Sequence, residues 1–200
     1  MGVLVGCTGF VGQHLAAQRD FTHRVHRSDV ATIAGMSTAL LVCAGMPAEK
    51  WRANQDPATD WANMAALAQV LASMQVDRAV LISTIDVYQP AVDVDETDPA
   101  RFDGAGAYGA HRAWFEALFK SRFPNALVLR LPALYAPDVR KNLVHDLLHG
   151  KADQWAGVNP SSTFQFFDTT QTWTMIERAW EEGLTLLNVT SEPVTAQAVA

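Results

Sequence analysis

Short runs, most of them unbroken in apolar residues, alternate along this chain with longer stretches in which apolar residues recur at helical spacing. The runs are "GVLV" (2–5), "THRVH" (22–26), "ALLVC" (39–43), "RAVLIS" (78–83), "ALVLRLP" (126–132) and "LTLLNV" (184–189). The helical stretches run from Phe10 to about Gln18, from about Asp60 to Met74, from about Ala105 to Ser121, and over 169–182, where Trp173, Ile176, Ala179 and Trp180 share a face. A strand with helices on both of its faces has no side to turn toward water, so its sequence does not alternate. The pattern therefore predicts repeated β-α-β units around a parallel sheet.

Two irregularities refine that picture. Only about a dozen residues separate "THRVH" from "ALLVC", near the lower limit for a parallel crossover that carries a helix. One unit of the sheet is expected to be shrunken or missing. After Pro132 the texture changes: "YAPDVRKN" reads as a loop, 142–149 as a short helix, 157–163 as a Gly/Pro/Ser loop, and "TAQAVA" as a helix barely begun. The expected organisation is one domain over 1–200, with a dinucleotide-binding core over 1–135 and a small substrate-side region over 136–200.

Composition narrows the partners. Two hundred residues, 49% hydrophobic and 18% charged, suffice for one sizeable core. A net charge of -6 with no Lys/Arg cluster gives no footprint for nucleic acid or a membrane surface, and points to small-molecule or protein partners. The apolar runs are too short to span a bilayer, and the N-terminus does not read as a cleavable leader, so a cytoplasmic location is expected. Cys7 and Cys43, without CxxC spacing, read as small buried residues.

"LVGCTGFVGQHL" places Gly6, Gly9 and Gly12 directly after the first strand and at the opening of a helix. In that context one glycine serves the tight turn, one lets the backbone approach a pyrophosphate, and one lets helix and strand pack closely, with the helix N-terminus toward the anion. Near the end of the second strand an acid favours NAD and an arginine favours the 2′-phosphate of NADP. Arg27 stands nearest that strand end and Asp29 can cap the helix after it, which inclines the reading to NADP.

Beyond the glycine loop, "LLVCAG", "LISTIDVY", "YGAHR" and "LRLPALYAP" follow in order. Together these stretches resemble the extended short-chain dehydrogenases/reductases, the NAD-dependent epimerases and dehydratases, over almost the whole chain. The resemblance implies a Rossmann-like doubly wound α/β fold with a reduced C-terminal substrate region, since the chain stops at Ala200 where that family usually continues. It implies dinucleotide contacts from Gly6, Thr8, Gly9, Phe10, Val11, Gly12, Ala44, Gly45, Asn63, Ser83 and Pro132. It also implies Thr84 as the residue that hydrogen-bonds the substrate oxygen, Tyr108 as the acid/base, a sugar or nucleotide-sugar substrate, and a homodimer formed through the long helices. Arg112 falls where the family has the lysine of YxxxK, which holds the nicotinamide ribose and lowers the tyrosine pKa.

Arginine can do only part of that work. A free tyrosine titrates near ~10, and a nearby cation lowers this by ~1–3 units. Arg112, four residues on, can supply the field and donors for a ribose. It cannot pass on a proton, because its own pKa lies above ~12. The plain alternative is an ordinary helical tyrosine with a solvated arginine paired to Glu116. Thr84-Ile85-Asp86 puts an apolar residue where 4,6-dehydratases of that family have an acid, which argues against dehydration and leaves Asp86 as a substrate-facing acid/base or a turn residue.

Weaker signals complete the reading. Arg140 and Lys141 suit an anionic substrate or a solvated loop. His145 and His149 share a helix face beside Asp146 but lack a third ligand, so no metal site is expected. Trp155, Phe164, Phe166 and Phe167 form a substrate wall or part of the core. The function expected is an NAD(P)-dependent oxidoreductase or epimerase acting on a carbinol or ketone carbon. The alternative is a dinucleotide-binding regulatory or scaffold protein without turnover.

Overall fold

The computed structural model describes residues 2–104, 106–139, 145 and 158–199. Its centre is a six-stranded parallel sheet built from β1 (Gly2–Val5), β2 (His23–Val25), β3 (Ser37–Cys43), β4 (Gln75–Thr84), β5 (Leu127–Leu131) and β9 (Leu186–Asn188). The strand order is β2-β1-β3-β4-β5-β9. Helices α1 (Phe10–Gln18) and α5 (Thr172–Glu181) cover one face, and α3 (Pro57–Ser73) and α4 (Ala107–Arg122) the other.

The absence of alternation in the strands follows from this double cover. Val3, Val5, Leu41, Cys43, Leu81 and Val128 enter the core under α3 and α4, where Met64, Leu67, Leu71, Phe115 and Phe119 meet them. Their neighbours Leu4, Leu40, Val42, Val80, Ile82, Leu127 and Leu129 pack on the opposite face with Leu15, Trp173 and Ile176. Successive side chains of a strand point to opposite faces, so both sets must be apolar when both faces are buried. The fold is Rossmann-like.

The short β2–β3 connection carries a 3₁₀ turn (Arg27–Ile33) in place of a full helix, and β2 is the edge of the sheet. A six-stranded Rossmann sheet has a further strand outside this position; among the described residues that unit is missing. The helix expected from about Asp60 starts at Pro57, because Asp56 accepts the Thr59 N–H at 3.1 Å and proline suits the first turn. A short helix before it, α2 (Lys50–Gln55), has no counterpart in the sequence reading. The 169–182 helix divides into a 3₁₀ turn (Thr169–Gln171) and α5.

Small strands finish the C-terminal region. β6 (Ala133–Tyr135) pairs with β8 (Phe166–Asp168), and β7 (Thr163–Phe164) with β10 (Val194–Thr195), followed by the single turn α6 (Ala196–Val199). Because β9 joins the main sheet through β5, residues beyond 135 also complete the core. The expected helix over 142–149 lies outside the described residues, apart from His145. Among the described residues no helix is long and apolar enough to cross a membrane.

Candidate active site

A cleft of about 590 Å³ opens where the strand order reverses, between the C-terminal ends of β1 and β3. Parallel sheets bind ligands at this reversal. The turn after β1 depends on Gly6, whose φ is +82° and where a Cβ would lie 2.3 Å from the Ala44 carbonyl oxygen. At Gly12 a Cβ would come within 2.0 Å of the Gly6 carbonyl oxygen, so this glycine sets the seating of α1 on the loop. Gly9 differs: a Cβ there would meet only the Gly6 oxygen, at 3.3 Å.

The surroundings of Gly9 suit an anion. No side chain caps α1, its first turn carries no acid, and its first backbone bond is Gln13 N–H to the Gly9 carbonyl at 2.9 Å. The earlier N–H groups of the helix therefore have no partner within it. Thr8, Phe10 and Val11 line the cleft with Gly6 and Gly9. Across from them stand Ala44, Gly45 and Pro132, and at the end of β2 Arg27. Arg27 is exposed, whereas Asp29 lines a separate hollow on the far side of β2.

Thr84 and Tyr108 both line this cleft. Thr84 ends β4 and caps the next 3₁₀ turn (Ile85–Val87), accepting the Asp86 N–H at 3.2 Å, which fixes its side chain. Tyr108 lies in the first turn of α4, and its N–H donates to Asn54 Oδ1 of α2 at 2.9 Å. Gly109 allows the approach, since a Cβ there would sit 2.2 Å from the Asp86 carbonyl oxygen. The tyrosine is half-buried, and its pKa is raised. Burial raises it, Asp86 and Asp60 add to the rise, and Arg112 only partly offsets them.

Arg112 pulls the tyrosine toward phenolate as expected, but burial, with Asp86 and Asp60, outweighs it, and the guanidinium is engaged elsewhere. The side chain is 1% exposed and forms a two-pronged pair with Asp60 of α3, Nη1 to Oδ2 at 2.7 Å and Nη2 to Oδ1 at 3.0 Å. Nη1 also donates to the Tyr108 carbonyl at 3.1 Å, and Nη2 to the Pro47 carbonyl. A guanidinium has five N–H donors. These four bonds use all but Nε, which is enclosed by protein and is the one buried side-chain polar atom without a partner among the described residues. The guanidinium lies 3.8 Å from the centre of the Tyr108 ring. Arg112 thus lines the cleft with no donor free for a ribose; it supports the tyrosine ring and ties α4 to α3.

The alternative of a solvated Arg112–Glu116 pair is also overturned, because both residues are buried and each pairs with another element. Asp60 also accepts from His111 Nδ1 at 2.7 Å. Nothing in the sequence singles out Asp60, since an acid in a first helical turn is common for dipole reasons alone. One turn on, Asn63 is exposed and does not line the cleft. Asp86 does not line it either, and pairs with Lys50 of α2 at 2.6 Å. Arg140, Lys141, Trp155 and His149 lie outside the described residues.

Ser83 lines the cleft from one end of a buried polar chain that sequence reasoning missed. Its hydroxyl donates to Glu116 at 2.5 Å, Glu116 accepts from Arg130 Nη2 at 2.6 Å, and Arg130 Nη1 donates to the Tyr88 hydroxyl at 2.6 Å. Tyr88 in turn meets Asn188 of β9. Tyr88 and Asn188 line a second cavity of about 550 Å³, with Ile85, Ala133 and Phe164. Phe167 belongs to the core instead. Buried Cys43 has its thiol pushed up to about 12 by burial, against a bond to the Gly45 backbone, and is chemically quiet.

No family model matches this chain, and no curated protein matches it. Solved structures do, in fold. RMD from Pseudomonas aeruginosa, complexed with NADPH, aligns with a TM-score of 0.76 and 17% identity over 98% of this chain and 78% of its own. UDP-glucose 4-epimerase from Thermus thermophilus, in complex with NAD, gives 0.73 and 16% over 100% and 81%. dTDP-4-dehydrorhamnose reductase from Yersinia enterocolitica gives 0.73 and 12% over 98% and 76%. These likenesses establish the Rossmann-like fold of the chain.

Proposed function

We propose that this chain binds a nicotinamide dinucleotide and reduces a carbonyl carbon of a small polyhydroxylated substrate. The observation that carries this reading is a single cleft that has an open helix N-terminus behind Gly9 at one end and the Thr84 and Tyr108 hydroxyls at the other. The residues fit the cofactor: Gly9 leaves room for a pyrophosphate, and Arg27, exposed at the end of β2, suits the 2′-phosphate of NADP. Proteins of the same fold were solved with NAD and with NADPH, which supports the cofactor class.

When bound, the dinucleotide supplies hydride to the carbonyl carbon. Thr84 then orients the carbonyl oxygen, and Tyr108 gives its hydroxyl proton to that oxygen as it becomes an alcohol. A raised tyrosine pKa keeps the hydroxyl protonated at neutral pH, the form that this step uses. A second reading, a dinucleotide sensor without turnover, is favoured by Arg112 having no donor free for the ribose.

Fluorescence titration of the purified protein with NADPH and NADH tests both readings, with tighter binding of NADPH expected. Failure to bind either removes both. Oxidation of bound NADPH across a panel of carbonyl compounds, compared with Tyr108→Phe, then separates enzyme from sensor. A loss of about 10²–10⁴-fold in turnover is expected for the variant, and equal rates would remove Tyr108 from the chemistry.

A further inference from the structure

Three charged groups act on Tyr108, Arg112 on α4, Asp60 on α3 and Asp86 after β4, and Lys50 on α2 pairs with the last of them. Arg112 and Asp60 are committed to each other at hydrogen-bond distance and buried together. The remaining pair is differently placed. Lys50 Nζ donates to Asp86 Oδ1 at 2.6 Å, and Asp86 Oδ2 lies 3.4 Å from Thr84 Oγ1, the hydroxyl that also accepts the Asp86 N–H. A line of polar contacts therefore runs from a lysine side chain that is 59% exposed to a hydroxyl on the cleft wall.

We infer that Lys50, acting through Asp86, is the positioning cation of this cleft: it holds the carboxylate against Thr84 and screens its charge from Tyr108. Arg112, four places after the tyrosine, acts on it through its charge, but its Nη donors are spent on Asp60, the Tyr108 carbonyl and the Pro47 carbonyl and not on Asp86 or Thr84. Lys50 is the kind of group the role needs, a compact ammonium with three donors of which Asp86 takes one. Asp86 is also one of the charges that oppose ionisation of Tyr108, so whatever neutralises Asp86 acts on the tyrosine as well. An exposed pair of this kind adds little to stability. Its effect is on the charge beside the hydroxyls, not on the fold.

The inference rests on the reading that Thr84 and Tyr108 are the working hydroxyls, but its test uses no dinucleotide. A fluorinated tyrosine placed at position 108, which ionises nearer neutrality, reports its own titration by ¹⁹F resonance in the free protein. Lys50→Met is expected to raise the midpoint by about half a unit, and Asp86→Asn to lower it by a similar amount. Lys50→Gln should repeat the Lys50→Met result, Lys50→Arg should leave the midpoint near its starting value, and the double variant should follow Asp86→Asn. Opposite shifts from the two partners of one ion pair are not produced by a loosened helix. A midpoint that Lys50→Met and Lys50→Gln leave unmoved overturns the inference, and does so whether or not the protein binds NADPH.

Discussion

Helix α4 sends two oppositely charged side chains inward one turn apart, and they do not pair with each other. Glu116 reaches Arg130 on β5, with Ser83 and Tyr88 completing the bonds of both groups. Arg112 reaches Asp60 on α3, takes two backbone carbonyls besides, and leaves Nε without a partner. The first pair ties α4 to the sheet, and Arg130 extends it through the Tyr88 hydroxyl to the segment after β4. The second forms part of the cleft wall and supports a tyrosine. Burial decides both cases, because an exposed i,i+4 pair gains only ~0.2–0.5 kcal/mol, whereas a buried charge without a matched partner costs several times that.

If this difference in completeness matters, the more completely bonded pair should be the costlier one to break. Glu116→Ala leaves the Arg130 charge stranded, and a loss of about 3–5 kcal/mol in urea unfolding is expected. Burial works against the charge on Arg130, yet Glu116 and Tyr88 more than compensate, so the arginine has no inexpensive way to shed its proton. Asp60→Ala should cost less, about 2–3 kcal/mol, because Arg112 keeps the Pro47 and Tyr108 carbonyls. The same change should lower the ionisation midpoint at position 108, since it removes one opposing charge and exposes the guanidinium's field. Equal costs for the two variants would erase the distinction.

Arg112→Lys probes the cleft-side pair more gently. A lysine cannot form the two-pronged bond, so a loss of about 1–2 kcal/mol is expected. Dinucleotide affinity should change by less than about threefold, because the Nη donors are occupied and Nε is buried away from the ligand. A tenfold loss of affinity in a variant that unfolds as the wild type does would mean that Arg112 contacts the cofactor.

The same comparison shows where sequence reasoning reached and where it stopped. Periodicity identified the covered parallel sheet, and the short β2–β3 link identified the missing unit, because both are consequences of chain length and face. Gly6, Gly9 and Gly12 were readable for a similar reason: the turn, the open approach and the helix seating are local to one loop. The shared face of Tyr108 and Arg112 was legible, but the partners that engage Arg112 were not. Its partners lie 52 residues away at Asp60 and 65 away at Pro47. Spacing along a helix reports a shared face and not what faces it from another element. Lys50 was missed because α2 was missed, a helix of six residues with no apolar repeat long enough to show.

The smallest expected effect, a pH dependence, asks whether charge is what holds Arg112 in place. Burial pulls the Asp60 carboxyl upward, but the bonds from Arg112 and His111 outweigh it and hold the group below the ordinary carboxylate value. In the unfolded chain an aspartate titrates near ~3.9. Between the two values the unfolded state binds more protons, so stability rises with pH. The contribution is complete above the unfolded value and is lost as pH falls through the folded one. Wild type and Asp60→Asn should therefore differ most in urea midpoint at about pH 5 and converge toward about pH 3. A gap that stays constant across that window would mean that the Pro47 and Tyr108 carbonyls, rather than the carboxylate charge, keep the arginine under the tyrosine ring.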